Sequence, residues 1–299
     1  MIDEILKILI WGTLIGGCYS LLALGLTLLY GVARVVNLAH GSIFMLGVFT
    51  YYAFSFRYLT LDPWLALATA IIFTGLLGVI LYRTTIHPIL GDEVATLVIT
   101  ITLAILIQNL VVILFGSAKV PLINPMGEKF FNFLGVTVSF TSAVSFFLSI
   151  SLLFVVALFV NKSKIGKSMR AVSQDREAAM LMGVNVNRLL VFVAFLSAML
   201  AAIAGFMYAI SSLGYFGYAV YYMWFAPLTS SFAIVILGGL GSVKGSFLGS
   251  FVVSYSQQIV AVFVPQGGGI ISLAALVVMV AILLIRPKGF FGKRVEMEE

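Results

Sequence analysis

The chain has 299 residues, 62% of them hydrophobic and only 9% charged, where an ordinary soluble domain carries roughly 25% charged residues. That composition excludes a soluble globular enzyme and a disordered chain, and the continuous apolar runs exclude a porin-like barrel, whose strands alternate. The net charge of +6 arises from 17 Lys and Arg that gather at the ends of apolar runs and in two short segments. Membrane topology explains that placement better than a nucleic-acid partner does.

A spanning helix needs about 20 apolar residues, so the chain reads as one all-α, polytopic membrane domain, 1–299, of about eight to ten transmembrane or half-spanning helices. Hydropathy places them near 5–30, 35–56, 64–82, 94–115, 140–160, 189–212, 225–240, 246–264 and 270–285. The first contains Ile15-Gly16-Gly17-Cys18, which has the look of a lipoprotein cleavage site. The acidic start Met1-Ile2-Asp3-Glu4 does not suit a secretion signal, and Cys18 reads instead as a small residue packed in a helix. As the only cysteine, it forms no internal disulfide. Gly12 and Gly16, and later Gly241, Gly245 and Gly249, have the spacing that lets helix backbones approach closely in lipid.

The second span opens with Asn37, His40, Gly41 and Ser42, polar groups that are costly in a bilayer unless partnered or wet. One reading is an interrupted helix lining a translocation pathway. The other is a set of hydrogen bonds tying helices together. His40 is a poor metal ligand, because His87, the other histidine, ends a different span beside Pro88 and no cysteine or carboxylate cluster accompanies it.

The segment 161–188 carries Lys162, Lys164, Lys167, Arg170, Arg176 and Arg188 against Asp175 and Glu177, so it is expected in the cytoplasm. Counting spans from there puts the N-terminus outside and the C-terminal Arg286, Lys288, Lys293 and Arg294 inside. Within the segment, 174–183 reads as a short helix with Asp175 and Glu177 at its start and Gly183 as C-terminal cap, leaving Ala178, Leu181 and Met182 as an apolar face. A second short helix is expected over 166–172. Gly166-Lys167-Ser168 mimics the end of a phosphate-binding loop, but Asn161 stands where the leading glycine is required. ATP binding by this chain is not expected.

The seventh and eighth spans surround Gly238-Gly239-Leu240-Gly241-Ser242 and read either as two spans or as a re-entrant pair. Gly245-Ser246-Phe247-Leu248-Gly249-Ser250-Phe251 echoes the stretch from Gly41 to Phe49 with two residues deleted, suggesting an internal repeat. Gln108, Asn109, Ser230, Ser231, Gln257 and Gln258 are weaker pathway candidates. All 11 carboxylates fall outside these spans, so no buried acid is available to carry a coupled proton, and the driving force is expected from outside the chain.

Glu177-Ala178-Ala179 followed by Gly183 resembles the EAA signature of permease subunits of ATP-binding cassette importers. The stretches Asn37-Leu38-Ala39-His40-Gly41, Met169-Arg170-Ala171-Val172-Ser173-Gln174-Asp175 and Ile236-Leu237-Gly238-Gly239-Leu240-Gly241-Ser242-Val243-Lys244-Gly245 resemble, in order, those of the branched-chain amino acid permeases. The likeness is to the shorter of that system's two permease subunits. It implies a transport subunit without covalent chemistry, working with a second permease chain, two ATPase subunits that hold ATP and magnesium, and a soluble binding protein. It also implies ATPase coupling through Arg170, Gln174, Asp175, Glu177, Ala178, Ala179 and Gly183. The translocation candidates are Asn37, His40, Gly41, Ser42, Gly241, Ser242 and Gly245. Urea and short-chain amide permeases share these motifs, and a self-sufficient secondary carrier is the alternative from a different class.

Overall fold

A computed structural model describes residues 1–211, 217–264, 270–286 and 289–291. Lys288, Lys293 and Arg294, expected inside, lie outside these described residues. The helices are α1 (Ile2–Ala33), α2 (His40–Tyr52), α3 (Pro63–Leu81), α4 (Glu93–Phe115), α5 (Phe140–Lys162), α6 (Lys164–Gln174), α7 (Arg176–Leu181), α8 (Val186–Ile210), α9 (Phe225–Gly238), α10 (Val243–Phe263) and α11 (Ile271–Ile285). Six are long and apolar enough to cross a membrane, α3 counting with its 3₁₀ and π-helical continuation to Ile89, while α9 and α11 are shorter apolar helices.

α1 is the axis of the bundle. It is buried almost continuously from Gly12 to Leu29 and touches α5, α8, α9 and α10. Small residues explain the closeness. A β-carbon on Gly16 would lie 2.8 Å from both Phe251 Cδ1 and Ser254 Oγ, and Gly12 packs under the Tyr255 ring. Hydroxyls then staple α1 to α10: Ser254 donates to the Gly12 carbonyl (2.7 Å), Thr13 meets Tyr255 (2.8 Å) and Thr27 meets Ser246 (2.5 Å). Gly245 and Gly249 press instead against α9, at Gly238 and at the Ile234 carbonyl, while Gly241 sits in the α9–α10 turn with φ +82°.

Two helices start in the interior. His40, the first residue of α2, hydrogen-bonds the carbonyl of Leu22, 11 residues before the end of α1 and so about 16 Å from it. The six residues from Arg34 to Ala39 can cover about 20 Å when extended, so they re-enter the bundle and release α2 at mid-depth. α9 begins beside it. With 14 residues it is about 21 Å long, too short for a core of about 30 Å. The expected span 35–56 is therefore a re-entrant segment without regular structure plus a half-helix, α2, that runs on as a π-helix over Ala53–Arg57, and 225–240 is a half-helix.

An exchange relation follows from the packing. α1, the re-entrant segment, α2, α3 and α4 correspond to α8, the described residues 217–224, α9, α10 and α11. α1 packs on α10 as α8 packs on α3, α2 on α8 as α9 on α1, and α2 on α4 as α9 on α11. The expected repeat paired α2 with α10, whereas the packing pairs α2 with α9. Gly-Ser-Phe runs are a general packing vocabulary, which produced the false echo.

Short strands were not expected. β1 (Val120–Pro121) pairs with β4 (Tyr218–Ala219), and β2 (Phe130–Phe133) forms a hairpin with β3 (Val136–Ser139) through Leu134 and Gly135, both at positive φ. All lie at the end of the bundle opposite α6. At the α6 end meet the C-terminus of α1, the α9–α10 turn, where Gly241 approaches Gly31, and residues 289–291. Segment 161–188 and the described C-terminal residues thus share one side, as the span count requires.

Candidate docking loop and broken-helix crossing

α6 is held from two sides. Ser163 caps it by accepting from Gly166 N–H (2.9 Å), and Gly166 lies so close under α5 that a β-carbon there would stand 2.6 Å from the Phe159 carbonyl oxygen. The Arg170 guanidinium donates to the Val160 carbonyl, the Arg34 guanidinium to those of Ser173 (3.2 Å) and Gln174 (3.4 Å). Met169 and Val172 form its buried face. The helix expected over 166–172 thus extends by two residues at each end.

α7 starts on Asp175, whose carboxylate accepts from Ala178 N–H (2.9 Å), with Glu177 in the first turn where the helix dipole favours it. It ends in a left-handed cap. Gly183, at φ +84°, donates to the Met180 carbonyl (2.9 Å) and Val184 to that of Ala179 (3.0 Å), the paired bonds of a Schellman motif. Ala179 faces inward at 5% exposure, while Leu181 and Met182 stand out at 88% and 85%. Ala178 is exposed as expected, and so are Gln174, Asp175 and Glu177. Beside Met182 and Gly183 runs a groove walled by Ile165, Arg188 and Phe192. The loop therefore displays apolar side chains on a rigid, capped turn.

The second cluster lies at mid-depth. Asn37 accepts from Ala39 N–H (3.0 Å) and the Asn37 carbonyl from His40 N–H (3.2 Å), so a local turn launches α2. Leu38 N–H donates to Thr100 Oγ1 of α4 (3.2 Å), and Ser42 donates to the Ala39 carbonyl (2.8 Å). His40 is fully buried. Its Nε2 pairs with the Leu22 carbonyl (3.1 Å) and its Nδ1 lies 3.5 Å from Ser197 Oγ, which itself donates to the Gly25 carbonyl (2.8 Å). Gly41 meets the start of α9 at Trp224 and Leu228. Trp224 in turn donates from its indole to Gln108 Oε1.

Asn37, His40, Gly41 and Ser42 are therefore together in the crossing of α1, α2, α8 and α9. Gly241, Ser242 and Gly245 are elsewhere, at the α6 end: Gly241 is exposed in the turn, Ser242 caps α10 by accepting from Gly245 N–H (3.1 Å), and Gly245 abuts Gly238. Among the weaker candidates, Gln257 donates to Ser230 (2.9 Å), Ser231 to the Leu228 carbonyl (2.9 Å) and Asn109, exposed on α4, to the Ile105 carbonyl (2.8 Å). Sequence reasoning missed Arg34, Thr100, Ser197 and Trp224. The signal for Arg34 was its position, a lone cation between the first apolar run and Asn37.

Residues 7–287 match the family described as "Branched-chain amino acid transport system / permease component". The chain is 29% identical to the high-affinity branched-chain amino acid transport system permease protein BraD of Pseudomonas aeruginosa, with 96% of each covered. It is 26% identical to LivH of Escherichia coli K12 over 94% of each, and 28% identical to a probable LivH of Methanocaldococcus jannaschii over 91% of this chain and 88% of that one. Its fold is similar to that of a chain in PsaBC from Streptococcus pneumoniae in complex with Fab, at TM-score 0.53 and 20% identity over 96% and 95% of the two chains. The chain belongs to the permease component family of branched-chain amino acid transport systems.

Proposed function

We propose that this permease passes branched-chain amino acids inward across the cytoplasmic membrane as the transport subunit of an ATP-driven importer. The carrying observation is the docking loop. A six-residue helix with a carboxylate cap at one end and a left-handed glycine cap at the other presents Leu181 and Met182 almost fully to their surroundings. It stands on α6, which two arginines hold to α1 and α5. Short, rigid, apolar helices of this kind suit insertion into a groove on a partner. The partner is a cytoplasmic ATPase, two copies of which hold ATP and magnesium, and Arg170, Gln174, Asp175, Glu177, Ala178, Ala179 and Gly183 form or position the contact. This orientation puts segment 161–188 in the cytoplasm and the N-terminus outside.

The substrate class follows the relatives, whose names specify branched-chain amino acids. Their apolar side chains need few ligands in transit, and a soluble binding protein supplies the affinity. Exposed Thr102 and Asn109 lie one above the other on α4, at the i, i+7 spacing of one face. Both are satisfied by carbonyls one turn back on α4 (2.8 Å each), so the second permease chain is supported instead by the relatives, among which both LivH and LivM occur. The crossing around Asn37, His40, Gly41 and Ser42 is the element whose movement opens the path.

Affinity purification of the tagged chain from native membranes in mild detergent tests the reading. ATPase subunits and a second permease should co-purify, and liposomes holding the complex should take up leucine only with ATP and a loaded binding protein. A chain that purifies alone and moves solute without ATP is a secondary carrier, and one whose binding protein holds urea or an amide has another substrate.

A further inference from the structure

Arg34 ends α1 in a left-handed conformation, φ 54° and ψ 36°, a region that favours glycine and resists residues with a β-carbon. Its backbone N–H closes the helix on the Tyr30 carbonyl (2.8 Å). Its guanidinium reaches across to the carbonyls of Ser173 and Gln174, the last two residues of α6. Carbonyls at a helix C-terminus lack helical partners and carry the negative end of the dipole, so a cation is well matched to them. The next residue, Asp175, is the cap on which α7 is built.

On its other side Arg34 is joined directly to the re-entrant segment. That segment is fixed further on by Leu38 N–H on Thr100 of α4 and by His40 on Leu22 of α1. A single side chain thus bridges the α6–α7 junction to the peptide that launches the half-helix α2, over a separation of 139 residues. Arg170 does not have this position, since it ties α6 to the end of α5, the helix α6 already follows.

We propose that Arg34 is the positioning residue that transmits movement of the docking loop to the re-entrant segment and α2. The proposal rests on the ATP-driven reading above. When α7 is displaced, the two carbonyls carry the guanidinium with them. The strained turn at Arg34 then rotates residues 35–39 against the broken-helix crossing.

The test uses the complete importer in liposomes, measuring leucine uptake and ATP hydrolysis together. Arg34→Gly keeps the left-handed turn, which glycine adopts freely, and removes only the guanidinium. Arg34→Gln is a second variant with a polar side chain too short to span both carbonyls, and Arg34→Lys retains the charge. Both Arg34→Gly and Arg34→Gln should keep ATPase subunits at wild-type stoichiometry while uptake per ATP hydrolysed falls about tenfold (about 1.4 kcal/mol of coupling). Arg34→Lys should recover part of that ratio. An unchanged ratio in Arg34→Gly or Arg34→Gln overturns the proposal, as does a loss explained wholly by ATPase dissociation. Failure of the wild-type chain to bind ATPases would instead remove the ATP-driven reading, so the two failures are distinguishable.

Discussion

The carbonyl oxygen of Trp224 lies 2.7 Å from where a β-carbon on Gly41 would stand, and Leu228 Cβ lies equally close. The first turns of two half-helices therefore meet backbone to backbone, and glycine is the residue that permits it. Gly41→Ala should force the two apart at a cost of about 1–3 kcal/mol, typical of overpacking where backbone cannot yield. Thermal unfolding in detergent should show the loss, and surviving protein should transport poorly because the crossing is displaced. Wild-type stability and transport together would mean that the two turns are not held in this contact.

Gly183 tests the docking loop separately from the membrane fold. At φ +84° a residue with a β-carbon is strained by about 1–2 kcal/mol, while asparagine tolerates this region better. Nothing lies within 4 Å of the absent β-carbon, so conformation alone is at issue. Gly183→Val should unwind the end of α7 and lower the ATPase recovered per permease at least several-fold, leaving the thermal midpoint of the membrane bundle unchanged. Gly183→Asn should recover most of it. Equal ATPase recovery from all three proteins would remove α7 from the contact.

Much of this arrangement was legible in the sequence, for reasons that differ by element. Long continuous apolar runs such as 94–115 have one outcome in lipid, and α4 occupies Glu93–Phe115 accordingly. The break before α2 was visible because Asn37, His40 and Ser42 interrupt an apolar run beside a glycine. The C-terminal cap of α7 was visible because Gly183 is a signal for a helix end, whereas Asp175, expected in the first turn of a helix over 174–183, is the N-cap of α7, and Gln174 closes α6 instead. Arg34 escaped because its partners are backbone carbonyls far along the chain, and backbone acceptors leave no mark in residue identity. The hairpin over Phe130–Ser139 escaped for a related reason: its turn is Leu134-Gly135 and lacks the Asn-Gly or Asp-Gly that announces such turns.

Tyr82 provides a test with the opposite sign. It is 1% exposed, its hydroxyl has no hydrogen-bond partner among the described residues, and it borders a small cavity shared with Asn37 and Ser197. A buried hydroxyl left unpaired costs about 1–3 kcal/mol, so Tyr82→Phe should leave the thermal midpoint unchanged or raise it. Ser197→Ala, which removes the bond to the Gly25 carbonyl at the α1–α8 crossing, should lower it by about 1 kcal/mol. A drop in Tyr82→Phe equal to that in Ser197→Ala would assign an ordered water to the cavity.

His40 separates the two readings of the crossing. Its ring is fully buried against the Leu22 carbonyl and Ser197, an arrangement in which it ties α2 to α1 and α8. His40→Leu should destabilise the bundle by about 1–3 kcal/mol by leaving the partner groups unpaired, with the remaining folded protein keeping its order of preference among leucine, isoleucine and valine. A changed preference at unchanged thermal midpoint would show that the imidazole meets the substrate during transport, and would move His40 from the scaffold to the path.

The last test concerns the end of α9. Phe290 and Phe291 donate their backbone N–H groups to the carbonyls of Leu237 (2.8 Å) and Gly238 (3.1 Å), which close that half-helix. Gly289 makes the approach possible. Its φ is +69°, and a β-carbon there would stand 2.7 Å from both the Ile236 and Leu237 carbonyl oxygens. Gly289→Ala should lift the segment away and forfeit both bonds, about 1 kcal/mol each. α9 is short and starts at mid-depth, so the end that these bonds close is the one it brings to the α6 side of the bundle. Hydrogen exchange of the amides at 236–242 should therefore accelerate about tenfold or more in Gly289→Ala, while amides in the middle of α8 remain protected. Phe290→Leu, which keeps the backbone bonds, should exchange like the wild type; equal acceleration in both would assign the closure to the phenylalanine ring instead of the peptide.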